Sequence, residues 1–134
     1  MTFPGKNPVT RVFLIAILVV SCSSCMAPPE VDTGPRVEHW IEALRESDAR
    51  VRKEAAFKLG NLGLTEPERI VPALMGALRD ADAAVRCEAI LALLKCGPDA
   101  EEAVGELSEL QQNDGDPRVR EYAGEALEKL GKDE

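Results

Sequence analysis

From residue 37 onward the chain places apolar residues at the 3.6-residue period of amphipathic helices, and the stripes come in pairs. Val37, Trp40, Ile41 and Leu44 make one stripe. Val51, Ala55, Leu59 and Leu62 make the next, within an arc of about 80° at roughly 100° per residue. The pair then returns twice. Ile70, Val71, Leu74, Met75 and Leu78 precede a helix bounded by Asp82 and Gly97; Val104, Leu107 and Leu110 precede one bounded by Asp116 and Gly131. The second helices share their letters: Asp48, Val51, Arg52, Ala55, Leu59 and Gly63 recur as Asp82, Val85, Arg86, Ala89, Leu93 and Gly97. They recur again as Asp116, Val119, Arg120, Ala123, Leu127 and Gly131, at a constant interval of 34 residues. Self-similarity at such a period is the mark of stacked helical repeats.

Each recurring letter has a local task. The aspartate stands where a helix N-cap accepts hydrogen bonds from first-turn amides, and Pro117 follows one of them at a position that tolerates a missing donor. The glycine stands just past the last apolar residue, where a left-handed C-cap is expected. Small residues at 55, 56, 89, 92, 123, 124 and 126 predict close approach between neighbouring helices. The first helix of the third pair is shifted by one residue, and the loop from Gln111 to Gly115 absorbs the difference.

The pattern D-x-x-V-R-x-x-A-x-x-x-L-x-x-x-G resembles HEAT-like repeats of the short kind named after phycobilisome lyases, across residues 37–131. Tetratricopeptide signature positions and the ankyrin Thr-Pro-Leu-His are absent. The resemblance implies an all-α fold, a right-handed α-solenoid of three helical hairpins at 37–63, 66–97 and 99–131, with a tail at 132–134. It also implies that Asp48, Asp82, Asp116 and Arg52, Arg86, Arg120 form a structural inter-repeat ladder, and that the second helix of each hairpin lines a concave face.

The N-terminal region reads as an address. Residues 1–21 hold Lys6, Arg11 and no acid, then the apolar run from Val12 to Val20, as in a signal peptide. Nine helical residues span about 14 Å, roughly half of a ~30 Å hydrocarbon core, which disfavours a stable crossing. Val19-Val20-Ser21-Cys22 resembles a bacterial lipobox, which implies cleavage before Cys22 and its lipidation; an ordinary secretory signal or an uncleaved anchor is the alternative. Several acyl chains hold a protein to a membrane far more firmly than one. Ser23 lacks the aspartate that in the resembling lipoproteins favours the inner membrane, so an outer membrane is favoured where two exist. Residues 22–36, with Pro28, Pro29 and Pro35, predict an extended tether.

Charge narrows the partners. The 134 residues carry 16 basic and 24 acidic side chains; removing Lys6 and Arg11 with the leader moves the net from −8 to −10. Neither nucleic acid nor an anionic lipid surface is expected to bind such a chain by charge. His39 is the sole histidine and reads as a surface residue, because no second ligand lies at zinc spacing. Motifs that position nucleophiles, metals or phosphates are missing, so no catalytic residue, metal or cofactor is expected. Asp80 with Asp82 and Asp114 with Asp116 fit helix capping and solvation better than calcium.

The outward row of the second helices is the candidate binding surface. It reads Arg50, Lys53, Phe57 and Asn61; then Ala84, Cys87, Leu91, Leu94 and Lys95; then Arg118, Glu121, Glu125, Glu128 and Lys129. Position 60 falls in the same sector. Phe57, Leu91 and Leu94 would be anchors and Glu121 and Glu125 an acidic rim selecting a basic or polar ligand, unless the apolar residues merely fill seams between repeats; their exposure decides. Cys87 is the one outward thiol and the candidate for reactivity, with an inert half-buried thiol as the alternative, while Cys96 reads as core; on one helix the two are too far apart to bridge. The expected function is a membrane-anchored, non-catalytic protein-interaction module at the bacterial cell envelope. The alternatives are a structural subunit stacking on another copy or protein, and a chromophore-lyase-related enzyme or chaperone.

Overall fold

The computed structural model describes residues 33–131, with side chains from Arg36. The leader 1–21, Cys22, Cys25, most of the tether and the tail 132–134 lie outside the described residues. Six α-helices follow: α1 (Thr33–Ala43), α2 (Ala49–Leu62), α3 (Pro67–Ala77), α4 (Ala83–Cys96), α5 (Val104–Asn113) and α6 (Pro117–Leu130). A 3₁₀ segment, Gly97–Ala103, leads into α5. Paired in order, they make the three expected hairpins, and no strand occurs among the described residues. Helix α1 begins at Thr33, inside the stretch expected to be tether; Pro35 falls in its first turn, where an absent N–H has no helical partner to lose.

The second helices start as their sequence dictates. Asp48, Asp82 and Asp116 have extended backbones, and their side chains accept from the N–H groups of Arg50, Ala84 and Arg118 at 2.9, 2.8 and 2.9 Å. The helix ends depart from expectation. Of the three repeat glycines only Gly97 has a positive φ, 63° with ψ −134°; Gly63 and Gly131 are right-handed. Gly63 is required for space instead, since a Cβ there would lie 2.5 Å from the Cys96 sulfur.

One apolar core runs through all three hairpins, built on Leu59, Ile70, Leu74, Leu78, Ile90, Leu93 and Leu107, each essentially inaccessible. Helix α2 packs on α4, and α4 on α6, so the second helices form a continuous layer. Gly60 lets α4 approach: a Cβ there would meet Ala92 at 2.8 Å. Two expected core positions are exposed. Val51 is 38% accessible although Val85 and Val119 are fully buried, and Val104 is 39% accessible although its counterpart Val71 is buried. The reason is position in the stack. Val51 lies on the first second-helix and Val104 on the last first-helix, and no further hairpin covers either among the described residues.

The ladder exists with different acids. Arg52 donates from Nε and Nη2 to Asp80 at 2.8 and 2.9 Å, and Arg86 donates in the same way to Asp114 at 2.8 and 2.9 Å. Asp48, Asp82 and Asp116 serve as caps: their carbonyls accept from the backbone N–H groups of Arg52, Arg86 and Arg120, but their carboxylates accept nothing from those guanidinium groups. The fork must reach into the loop of the next hairpin, 28 residues on, and the residue facing it there precedes the cap by two. Asp80 and Asp114 therefore do more than cap and hydrate. Each also accepts from the cap residue's own N–H, at 2.9 and 2.8 Å. No buried side-chain polar atom among the described residues lacks a partner.

Candidate binding groove

The continuous layer of α2, α4 and α6 presents the row that the sequence singled out. Phe57, on α2, is 43% accessible. Leu91 and Leu94, on α4, are half-buried, and Leu94 also packs on the core. With Glu88, Lys95 and Lys129 they line an open depression of about 520 Å³. The seam alternative thus fails for Phe57 and holds in part for the two leucines. Seam contacts are made one helical step away, by Gly60 against Ala92 and Gly63 against Cys96. Gly60, placed by spacing in the outward sector, is buried between α2 and α4.

Lys95 organises one wall. Its Nζ stands 4.5 Å from the Phe57 ring centroid and donates to Asn61 Oδ1 at 3.0 Å. A cation over the ring face is attracted by the ring quadrupole and holds the phenyl in place without covering it. The rim differs from expectation. Glu121 and Glu125 are exposed but do not line the depression; its charged edge is made by Lys95, Lys129 and Glu88. One turn of α6 accounts for this, because Lys129 lies beyond Glu125 toward the helix end nearest Leu94.

Cys87 lies outside the depression, half-buried, and burial pushes its thiol up despite the counteracting charge of Arg118. That lowers the thiolate fraction and with it the nucleophilicity expected of an exposed position. Cys96 is fully buried, is pushed up by burial as well, and donates to the Ala92 carbonyl at 3.3 Å. His39 is exposed, with its ring edge-on to Trp40 at 4.9 Å between centroids; Lys58 Nζ lies 5.8 Å from the Trp40 ring. Trp40 and Ile41 are half-buried and pack against the core. Among the described residues no three His, Cys, Asp or Glu side chains converge as metal ligands, and no helix is long and apolar enough to cross a membrane.

The family model for HEAT repeats matches residues 37–128. The chain belongs to the HEAT-repeat family. The match covers all three hairpins and ends within α6, so the groove lies wholly on HEAT repeats apart from Lys129 and Leu130 at its far edge. No curated protein matches the chain. Members of such arrays present a surface of stacked helices, and that surface is what the geometry offers here: an apolar floor, an anchored aromatic ring and a charged rim.

Proposed function

We propose that this HEAT-repeat protein is a non-catalytic scaffold, held at a bacterial envelope membrane by lipid on Cys22, whose groove takes an apolar segment of a partner protein. The observation that carries the reading is Phe57: a large ring, 43% accessible and fixed by Lys95, at the mouth of a depression floored by Leu91 and Leu94. Aromatic anchors of this kind supply most of the affinity at protein interfaces. Since Lys95 is engaged with Phe57 and Asn61, Lys129 is the cation left to meet an acidic group flanking the apolar segment. The lipobox-like Val19-Val20-Ser21-Cys22 and the apolar run before it support the anchor, and the short lyase-type letters of the repeat support packing rather than chemistry.

The test is site-specific photocrosslinking in native membranes, with the reactive residue at 57 or 91 and, as a control, at exposed Glu109 on α5. One discrete adduct from 57 and 91 and none from 109 is expected; the same adducts from all three positions would remove the groove from the account. For the anchor, Cys22→Ser should abolish incorporation of labelled palmitate and release the protein from membranes. Retention without label would mean an uncleaved apolar anchor.

A further inference from the structure

The two ends of the stack are complementary to each other. Arg52 and Arg86 hold a fixed pose: Nη1 donates to carbonyls of the preceding loop, while Nε and Nη2 reach an aspartate in the next hairpin. Arg120 keeps the pose, with Nη1 donating to the Asp114 carbonyl at 2.6 Å, yet among the described residues nothing accepts from its Nε and Nη2. The series that runs Asp114, Asp80 has Glu46 as its first member, at the same 34-residue interval. Glu46 is exposed and its carboxylate has no arginine among the described residues. An unused fork stands at one end, and an unused acid in the matching register at the other.

Other contacts between second helices extend in the same way. Gly60 abuts Ala92; carried on by the repeat, its outer counterpart is Glu128 on α6 and that of Ala92 is Lys58 on α2. Cys87 lies within the field of Arg118; the corresponding edge residues are Glu121 and Arg50. Each of the three edge pairs joins an acid to a base. The apolar surface agrees: Val51 and Val104, two of the four exposed large hydrophobic residues, occupy one edge each, at positions that a neighbouring hairpin buries inside the stack.

We propose that copies of this chain associate head to tail, the α6 edge of one against the α2 edge of the next, through Arg120 with Glu46, Glu121 with Arg50, and Glu128 with Lys58. The contact repeats the internal register, so it is heterologous and extends into a row rather than closing a dimer. Lys58 and Glu128 stand where the interior has small or apolar residues, so the edges meet through charge rather than tight packing; the association is weak and salt-sensitive. It is independent of the groove.

The full chain in non-ionic detergent should sediment as monomers, dimers and longer species at tens of micromolar, and as monomers when salt is raised. Glu128→Lys and Lys58→Glu should each weaken association by about tenfold, by placing like charges face to face, and the double variant should regain it. Glu46→Lys supplies a separate test at a side chain without a described partner; circular dichroism and an unchanged melting midpoint show that each variant folds. A wild type that stays monomeric, association that ignores these substitutions, or a double variant no better than the singles would each overturn the proposal. So would loss of association in Phe57→Glu, which would place the contact in the groove.

Discussion

Asp114→Ala is the perturbation on which the ladder can be weighed. The Asp114 side chain is 5% accessible and that of its partner Arg86 is 15%, so removing the carboxylate leaves a guanidinium with little water to replace it. Two charge-assisted bonds of 2.8 and 2.9 Å disappear, and the Asp116 N–H loses its acceptor. Arg86 keeps its Nη1 contacts to the carbonyls of Asp80 and Ala81, which offset part of the loss. Stranding one partner of a buried pair costs about 3–5 kcal/mol, and the retained contacts put this case near the lower end, about 3 kcal/mol. For a domain of this size that lowers the melting midpoint by roughly 10–20 °C. Chemical unfolding followed by far-ultraviolet circular dichroism, on the single variants and on Arg86→Met with Asp114→Ala, gives a double-mutant cycle. The coupling should be about 2 kcal/mol or more, because the pair is shielded from solvent. The Arg50–Asp48 pair, with an arginine side chain 92% accessible, should show no measurable coupling. A coupling below about 0.5 kcal/mol at Arg86–Asp114 would refute the claim that the ladder is energetically distinct from surface ion pairs.

Further outcomes follow from the same geometry. Arg52's hydrogen bonds hold the Asp80 carboxyl below its ordinary 3.8; burial opposes the shift at Asp114, but Arg86 and the Asp116 N–H still leave it lowered. A depressed folded pKa contributes stability that is fully present above the unfolded value and lost as pH falls through the folded one. Acid unfolding of the wild type should therefore extend below pH 3.8, and Asp114→Asn should flatten the pH dependence there in a titration of the melting midpoint. Gly60→Val should destabilise by about 1–3 kcal/mol, since its Cβ would overlap Ala92, whereas the same change at Gly76, helical and facing open space, should be neutral or stabilising by a few tenths of a kcal/mol, because valine has the higher helix propensity. In native protein, thiol labelling at Cys87 should be slow and at Cys96 undetectable until the chain unfolds; rapid labelling at Cys87 would contradict the raised thiol.

The hairpins, their caps and most of the core were legible because they depend on local letters. Asp48, Asp82 and Asp116 cap the helices they precede, and Leu59, Leu93 and Leu107 follow a 3.6-residue stripe. The ladder acids were not, because pairing across 28 residues is decided by how one loop lies against the next helix; the motif aspartates were the more regular letters and the wrong partners. One signal was present. The position of Asp80 and Asp114 holds Glu46 in the first hairpin, where no arginine of a preceding hairpin in the same chain requires an aspartate. The glycines misled for a related reason: C-cap spacing describes Gly63, Gly97 and Gly131 alike, while contact with Cys96 distinguishes Gly63 and only Gly97 uses its positive φ. In the groove, spacing found Phe57, Leu91 and Leu94 but assigned the rim to Glu121 and Glu125. The helix wheel fixes direction around an axis and not which neighbour's end lies alongside, so Lys129, though in the outward row, was not assigned to the rim, and Glu88 was missed.

Val51, Val104, Lys58 and Glu128 bear on whether the ends of this array are merely caps. A cap needs only polar outer surface, and for that purpose any charge would serve. Lys58 replaces an alanine and Glu128 a glycine or leucine at positions that meet across the interior seams, so both edges are protected from indiscriminate apolar stacking. Capping gives no reason for the two edges to carry opposite signs at matched register, nor for each to keep one valine exposed. Complementary charge that tolerates the next copy and rejects generic apolar surfaces accounts for both features at once. On a membrane, lipid anchoring would raise the local concentration enough for such weak edges to meet. Rows of scaffolds with one groove per copy would then bind a multivalent partner more tightly than any single groove can.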